Sequence, residues 1–478
     1  MATTPISEST SAARWVEEYW EAQALPLLSD YIRIPNVSPA YEPEWSAQGH
    51  MDAAAQLLCE WARRRPIDGL SVELVQLDGL TPVLIAEVEA SGDGAGSGSV
   101  LLYGHLDKQP PMTGWAEGLS PFEPTRRDDR LYGRGSADDG YAMFAALGAI
   151  EAAQALGTGH ARCVVLIEAS EESGSPHLPS YMDALAARIG SPTLVVALDS
   201  GCATWDRLWV TTSLRGNLIA ALRVAILTEG IHSGASGVVP SSFRILRNLL
   251  DRVEDSASGD ILPPELSAVV PPERLAEMAD VASLLGTKLA DYPWVQGARP
   301  RGLDPLDWLR GHTWEPALSI TGMDGIPPVK SGGNVLRPST TAKLSVRLPP
   351  TTSAATASEV LTRVLTNDAP YGAEVDLEIE GADDGWSAPP NPAWLAEALD
   401  AASREVFGQP PGFAGEGGSI PFVGALGKHF PDAATVVTGV LGPDTNAHGP
   451  NEFLHVPTAR AVTQCVAQLL SAHARRTA

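Results

Sequence analysis

Short apolar runs alternate with stretches of helical periodicity along most of the chain, and this alternation predicts an α/β architecture. Residues 100–103, 164–167 and 194–198 are rich in Val, Leu and Ile, each run following polar or helix-like sequence. Unbroken apolar runs of that length fit strands buried on both faces of a mostly parallel sheet. Residues 83–88 read as a further strand, separated from the first run by the Gly/Ser-rich loop 91–99. Apolar residues recur at helical spacing over 12–28, 52–64, 141–156, 394–407 and 459–474. The texture changes near residue 211: a strand over 217–227, an amphipathic helix over 241–253, Pro-rich irregular sequence over 263–328, and a strand over 342–348. The stretch 383–392 (DDGWSAPPNP) reads as a linker. The expectation is a larger α/β domain built from 1–210 and 383–478, with a mixed, mostly parallel sheet flanked by helices. A smaller α+β insertion at 211–382 interrupts it.

Composition narrows the function classes. Lys and Arg total 33 against 58 Asp and Glu, a net charge of −25, so the surface repels nucleic acid and anionic membrane. No apolar run reaches the roughly 18 residues of a membrane span. The first residues carry no basic stretch followed by an apolar core, and those before Ser11 are expected to fray. Cys59, Cys163, Cys202 and Cys465 are far apart and form no CxxC pair. They read as isolated buried thiols, the usage of a reducing, cytoplasmic protein.

The three buried runs end in chemistry-bearing residues: GHLD after the first, EASEESGS after the second, and LDSG at the end of the third. In open α/β sheets ligands bind beyond the carboxyl ends of the strands. His105 is followed two residues later by Asp107, a spacing at which a carboxylate can take the second N–H of an imidazole and fix its tautomer. Asp138–Asp139 and Glu171–Glu172 are adjacent acids in small-residue turns, costly to desolvate unless a cation compensates them. Either pair alone fits a solvated loop. With His105, His448 and Asp199, however, they form an imidazole-and-carboxylate set suited to zinc, manganese or cobalt. The set exceeds the needs of one tetrahedral ion and fits two ions roughly 3.5–4 Å apart, with a glutamate left over to act as general base. GxSxG, P-loop and dinucleotide-binding patterns are absent or out of context.

The ordered motifs YGHLDKQP, LYGRGSADD, EASEESGS, ALDSG, IHSG, SVRLPP, GEGGSIP and NAHGPNE resemble the M20 family of metallopeptidases. The similarity is to its cytosolic, carnosine-dipeptidase-like branch, and it spans nearly the whole chain. The resemblance implies two divalent ions per chain, zinc first and manganese or cobalt as alternatives. His105, Asp138, Glu172, Asp199 and His448 would be ligands, with Asp138 bridging the metals through a cis peptide to Asp139. Asp107 would orient His105, and Glu171 would be the base that takes a proton from the attacking water. His232 would polarise the scissile carbonyl from the partner subunit of a homodimer formed by the insertion, which acts as lid. Arg347 and the Gly417–Gly418–Ser419 segment, with Gly418 and Ser419 foremost, would hold the substrate's carboxylate, and Asn334 would be a further substrate-binding residue. The substrate would be a dipeptide or similar small peptide. N-acyl or N-carbamoyl amino acids remain an alternative served by the same metal site, and a non-catalytic binding role would require lost ligands. Gly140 and Tyr141 replace the lysine usual after the DD pair, Asn334 stands where a threonine is usual, and Lys108 where an apolar residue is common. These departures bear on substrate choice.

Overall fold

A computed structural model gives the fold and describes residues 11–476; the expected fraying before Ser11 lies outside them. The chain forms two compact units. The first takes residues up to Thr211, Ala388–Phe413 and Ala425 onward, and the second takes Thr212–Ser387 with Ala414–Gly424.

In the first unit the apolar runs become adjacent strands. Ser99–His105 pairs in parallel with both Arg162–Glu168 and Leu194–Ala197, and Ala434–Val437 adds in parallel to Leu194–Ala197. Val83–Val88 and Leu70–Val75 extend the other side antiparallel. Three of the four parallel strands, Ser99–His105, Arg162–Glu168 and Leu194–Ala197, are buried along nearly their whole length, which is why they read as continuous apolar runs. Helices Ala142–Ala155 and Val456–Arg475 pack together. The first is rich in alanine and buried on almost every side. Gly148 is needed there because a Cβ would meet the Tyr19 ring at 2.5 Å. The amino-terminal helical stretch is less regular than its periodicity predicts. Ser11–Tyr19 and Leu25–Ile32 are α-helical, but Trp20–Ala24 between them is a π turn. All four cysteines are buried thiols. No helix of the described residues is long and apolar enough to cross a membrane.

The second unit is built on a four-stranded antiparallel sheet in the order Ala317–Asp324, Ser339–Leu348, Gly216–Ala225, Glu374–Asp383. Thr340, Ala342, Leu344, Val346 and Leu348 alternate inward, and helices Ser242–Leu250 and Ala354–Thr366 complete that core. Arg347 therefore lies on the opposite face. Two expectations are corrected. Residues 263–328 are not irregular: they hold helices Pro272–Leu285 and Pro305–Thr313 and the edge strand Ala317–Asp324. Both prolines lie at the first helical turn, where a missing N–H costs nothing. The Asp304 side chain accepts hydrogen bonds from the N–H groups of Leu306 and Asp307. Residues 383–392 are not a free linker either, since Trp386 is buried and Trp386–Ser387 pairs with Ser213–Leu214. The second unit also takes residues 414–424, which sequence alone assigns to the larger α/β domain. Gly415 and Gly417 press against Ser213, Thr313 and His312 too closely for any side chain.

Candidate active site

The parallel strands of the first unit bring their acidic and imidazole ends together. His105 ends its strand with its ring buried. Its Nδ1 lies 3.1 Å from the Asp107 carbonyl oxygen and 3.4 Å from Asp107 Oδ1. That contact places the proton on Nδ1 and turns Nε2 toward the acids. Nε2 is 3.3 Å from Asp138 Oδ1, and 3.9 Å from both Glu171 Oε2 and Asp199 Oδ2. The other oxygen of Asp138, Oδ2, is 3.0 Å from His448 Nε2, which is itself 3.3 Å from Glu172 Oε2. Asp138 thus spans two imidazole–carboxylate clusters. The Asp138–Asp139 peptide is cis, and Asp139 Oδ2 accepts the backbone N–H of His105.

Asp107 also organises the glutamate pair. Its Oδ1 and Oδ2 accept the N–H groups of Glu171 and Glu172, each at 3.0 Å, and Ser38 Oγ donates to Oδ2 at 2.6 Å. Gln109 Nε2 donates to Glu172 Oε2 at 2.6 Å. The backbone around His448 is strained: Asp444, Asn446, His448 and Asn451 all have positive φ. Such outliers in one loop are characteristic of functional segments.

So many acids in a buried space disturb one another. Burial, and then the charge of Asp199, pushes the carboxyls of Glu171 and Asp139 well above the usual range. Burial and then Asp138 do the same to Glu172. Burial opposes ionisation of Asp138 as well, yet His105 and His448 outweigh it and hold that carboxyl low. His105 is raised well above its ordinary value because Asp107 and Asp138 overcome the opposing effect of burial. Glu172 Oε1 and Asp139 Oδ1 are buried without hydrogen-bond partners. Two overlapping groups, His105–Asp138–Glu172 and His105–Asp139–Asp199, have donor atoms close enough to share an ion. Orphaned carboxylate oxygens, mutual repulsion and a nitrogen-and-oxygen donor set together fit divalent cations.

The remaining candidate residues lie in the second unit. His232 and Asn334 are neighbours there. Ile231–His232 pairs with Val335–Leu336, and the Asn334 carbonyl accepts the N–H of Ser233. His232 is exposed, and its Nδ1 accepts the Gly234 N–H at 3.0 Å, so Nε2 carries the proton. Arg347 pairs across the sheet with Asn217 and Ala317. Gly417, just before Gly418 and Ser419, offers its carbonyl to Arg215 Nε at 3.2 Å. Arg215 Nη1 donates to the carbonyls of Gly311 and Glu315.

Arg134 lies in LYGRGSADD and Glu452 in NAHGPNE, but nothing in either motif signals the task the two residues share. Glu452 is fully buried, accepts Arg134 Nη1 at 2.6 Å, and takes the N–H groups of Gly135, Ala137 and Asp138. Arg134 Nη2 reaches the Gly449 carbonyl at 2.7 Å. The pair thereby ties the turn that carries Asp138 to the loop that carries His448. A glycine-flanked arginine far from its acid in sequence left no periodic signal. The departures after the acid pair are also structural. A Cβ at Gly140 would lie 2.3 Å from the Gly135 carbonyl oxygen and 2.5 Å from the Tyr31 ring. Tyr141 is buried and donates to the Leu198 carbonyl. Lys108 is buried too: Nζ donates to the carbonyls of Tyr31 and Ile34 and lies 4.0 Å from the Tyr31 ring centroid.

Residues 101–472 match Peptidase family M20/M25/M40. The chain is 28% identical over 456 residues to the cysteinylglycine-S-conjugate dipeptidase of Corynebacterium striatum, covering 90% of this chain and 92% of that one. It is 26% identical to the Beta-Ala-His dipeptidase of Homo sapiens, over 79% of this chain and 74% of that protein. The solved structure of the dipeptidase Dug1p from Saccharomyces cerevisiae superposes with a TM-score of 0.75 at 22% identity, covering 98% of each chain. With a family match over most of its length and a cluster of His, Asp and Glu at the strand ends, the chain belongs to Peptidase family M20/M25/M40 and is a metal-dependent peptidase.

Proposed function

We propose that this chain hydrolyses dipeptides that carry a free C-terminal carboxylate, using two divalent metal ions, zinc by preference. The observation that carries the two-metal reading is the span of Asp138 between His105 and His448. His105, Asp138 and Asp199 would hold one ion, and Asp138, Glu172 and His448 the other. When bound, the ions supply Lewis acidity toward the attacking water and the scissile carbonyl. Glu171, raised by burial and by Asp199, takes the proton of the water and delivers it to the leaving nitrogen. Asp107 acts as a positioning residue, holding the His105 ring and the backbone of Glu171 and Glu172. Arg347 and the Gly417–Gly418–Ser419 segment hold the substrate's carboxylate, and Asn334 is a further substrate-binding residue. The relatives named as dipeptidases support this substrate class.

We further propose a homodimer formed through the second unit, with His232 acting on the scissile carbonyl in the partner's site. Exposed Ile320 and Met323 on the edge strand and Ile326 just beyond it support that interface. Buried thiols fit a cytoplasmic setting. The test is to strip the protein with chelator and restore it with zinc or manganese. Amino-acid release is then measured from dipeptides and from N-acyl amino acids. Glu171→Gln should abolish dipeptide cleavage while metal content stays at about two per chain. Retained activity would remove Glu171 from its role, and release from blocked substrates alone would overturn the dipeptide assignment. A monomer by sedimentation at assay concentration would overturn the dimer.

A further inference from the structure

The second unit contains a cavity of about 520 Å³ that the catalytic reading does not use. It lies where sequence predicts only irregular chain, between the segment around Tyr292 and Trp294 and helix Pro305–Thr313. Its size falls within the roughly 300–1,000 Å³ of small-molecule sites.

The walls are aromatic. Trp308 lines the cavity from the helix, and Tyr292 and Trp294 line it from the loop. The last two meet edge to face at 5.8 Å, and their rings are about half exposed, 53% for Tyr292 and 46% for Trp294. The indole N–H groups are already committed: Trp294 Nε1 donates to the Ala290 carbonyl at 2.8 Å and Trp308 Nε1 to that of Gly302 at 3.4 Å. What they offer a ligand is therefore ring face. The charged wall residues pair among themselves. Arg301 is bound to Asp260, and Arg310 to Asp307 at 3.2 Å and to Glu315 at 2.7 Å. One more carboxylate than guanidinium remains, which disfavours an anionic guest.

The cavity is connected to the glycine-rich segment through His312. His312 lines the cavity, and a Cβ at Gly417 would lie 2.6 Å from its Nε2. The ring reaches solvent on one side, while crowding on the others and the nearby Arg215 keep it below the ordinary histidine value. The carbonyls that Arg215 gathers, those of Gly311, Glu315 and Gly417, join the cavity wall to that segment.

We propose that this cavity receives the side chain of the substrate's C-terminal residue and selects an uncharged aromatic one, with Trp308 as the specificity-determining wall. The assignment rests on the reading of Gly417–Gly418–Ser419 as part of the carboxylate grip, since a side chain leaves the residue whose carboxylate is held there. Stacking on ring faces adds to the apolar area removed from water, so an aromatic guest gains most.

The test uses metal-loaded enzyme and dipeptides that share one N-terminal residue and end in alanine, phenylalanine or tryptophan. Wild type should favour the aromatic-ended substrates in kcat/KM by about tenfold or more, the scale set by filling an apolar pocket. Trp308→Ala should bring that ratio toward one, mainly through KM, and Trp308→Phe should keep it. A wild-type ratio near one overturns the proposal, as does a Trp308→Ala ratio equal to wild type with all rates lowered alike. If wild type cleaves alanine-ended and aromatic-ended dipeptides equally well, the dipeptidase reading stands and the pocket assignment falls. If it cleaves none, the dipeptidase reading falls. Calorimetric titration with the tryptophan-ended dipeptide then judges the cavity by itself: binding lost in Trp308→Ala upholds it, and no binding by wild type overturns it.

Discussion

Glu452 exemplifies how much of the site depends on one side chain that touches no candidate metal ligand through its own chemistry except by backbone. Its carboxylate neutralises the buried Arg134 and satisfies N–H groups along the turn of Asp138. Glu452→Ala should cost about 3–5 kcal/mol, the range for breaking a buried ion pair by removing one partner. Urea unfolding of the variant would measure it, and a loss below about 1 kcal/mol would deny the pair its structural role. The His105–Asp107 spacing made the orienting carboxylate legible at this scale, because a contact two residues apart is local. Ser38 and Gln109 were not legible, because each reaches its acid across a long stretch of chain.

Elements carry two further expectations. His473 lies near the end of helix Val456–Arg475, fully buried, with Nε2 2.9 Å from Thr193 Oγ1. Burial, and then the charge of Arg476, lowers its pKa to about 3. In the unfolded chain a histidine titrates near 6.5. The folded state therefore binds fewer protons between those values, so stability present above about pH 6.5 is lost as pH falls toward 3. Urea midpoints measured from pH 7 to 4 should drop more steeply for wild type than for His473→Asn; parallel curves would refute the assignment. The second expectation concerns Asp304, which caps helix Pro305–Thr313 by accepting two N–H groups. Asp304→Ala should destabilise the protein by about 1 kcal/mol, and Asp304→Asn should restore most of it. Thermal unfolding of both variants checks the cap. The buried strands and long helices were readable from periodicity. The helices at Pro272 and Pro305 were not, because proline at a first turn and proline as a breaker look the same in sequence until the following residues are seen to bond.

For the whole molecule, the acid cluster links metal to stability. Orphaned oxygens on Glu172 and Asp139 and raised carboxyls imply that cations binding the folded state alone should stabilise it by mass action. Chelator-stripped protein should melt several degrees lower, roughly 2–4 °C for each kcal/mol lost in a domain of about 150–250 residues. Zinc should restore the transition, and calorimetry with and without metal reads the shift. An unchanged melting temperature in protein shown to have lost its metal would mean that the cluster does not couple to folding. The net charge of −25 adds a diffuse repulsion that salt screens.

Sequence by itself determined the α/β class, the strands whose ends hold His105, Glu171, Glu172 and Asp199, and the family, because burial on both faces of a sheet demands unbroken apolar runs and because short motifs are contiguous. Tertiary structure decided the rest. Only there do the oxygens of Asp138 divide between two histidines, does Arg134 meet Glu452, and do Gly140, Tyr141 and Lys108 prove to fill space and bind carbonyls. The aromatic cavity beside His312 likewise gathers residues spread from 258 to 315. Packing at that range is fixed by shape and by unsatisfied polar groups that must find partners, and neither leaves a period in the chain.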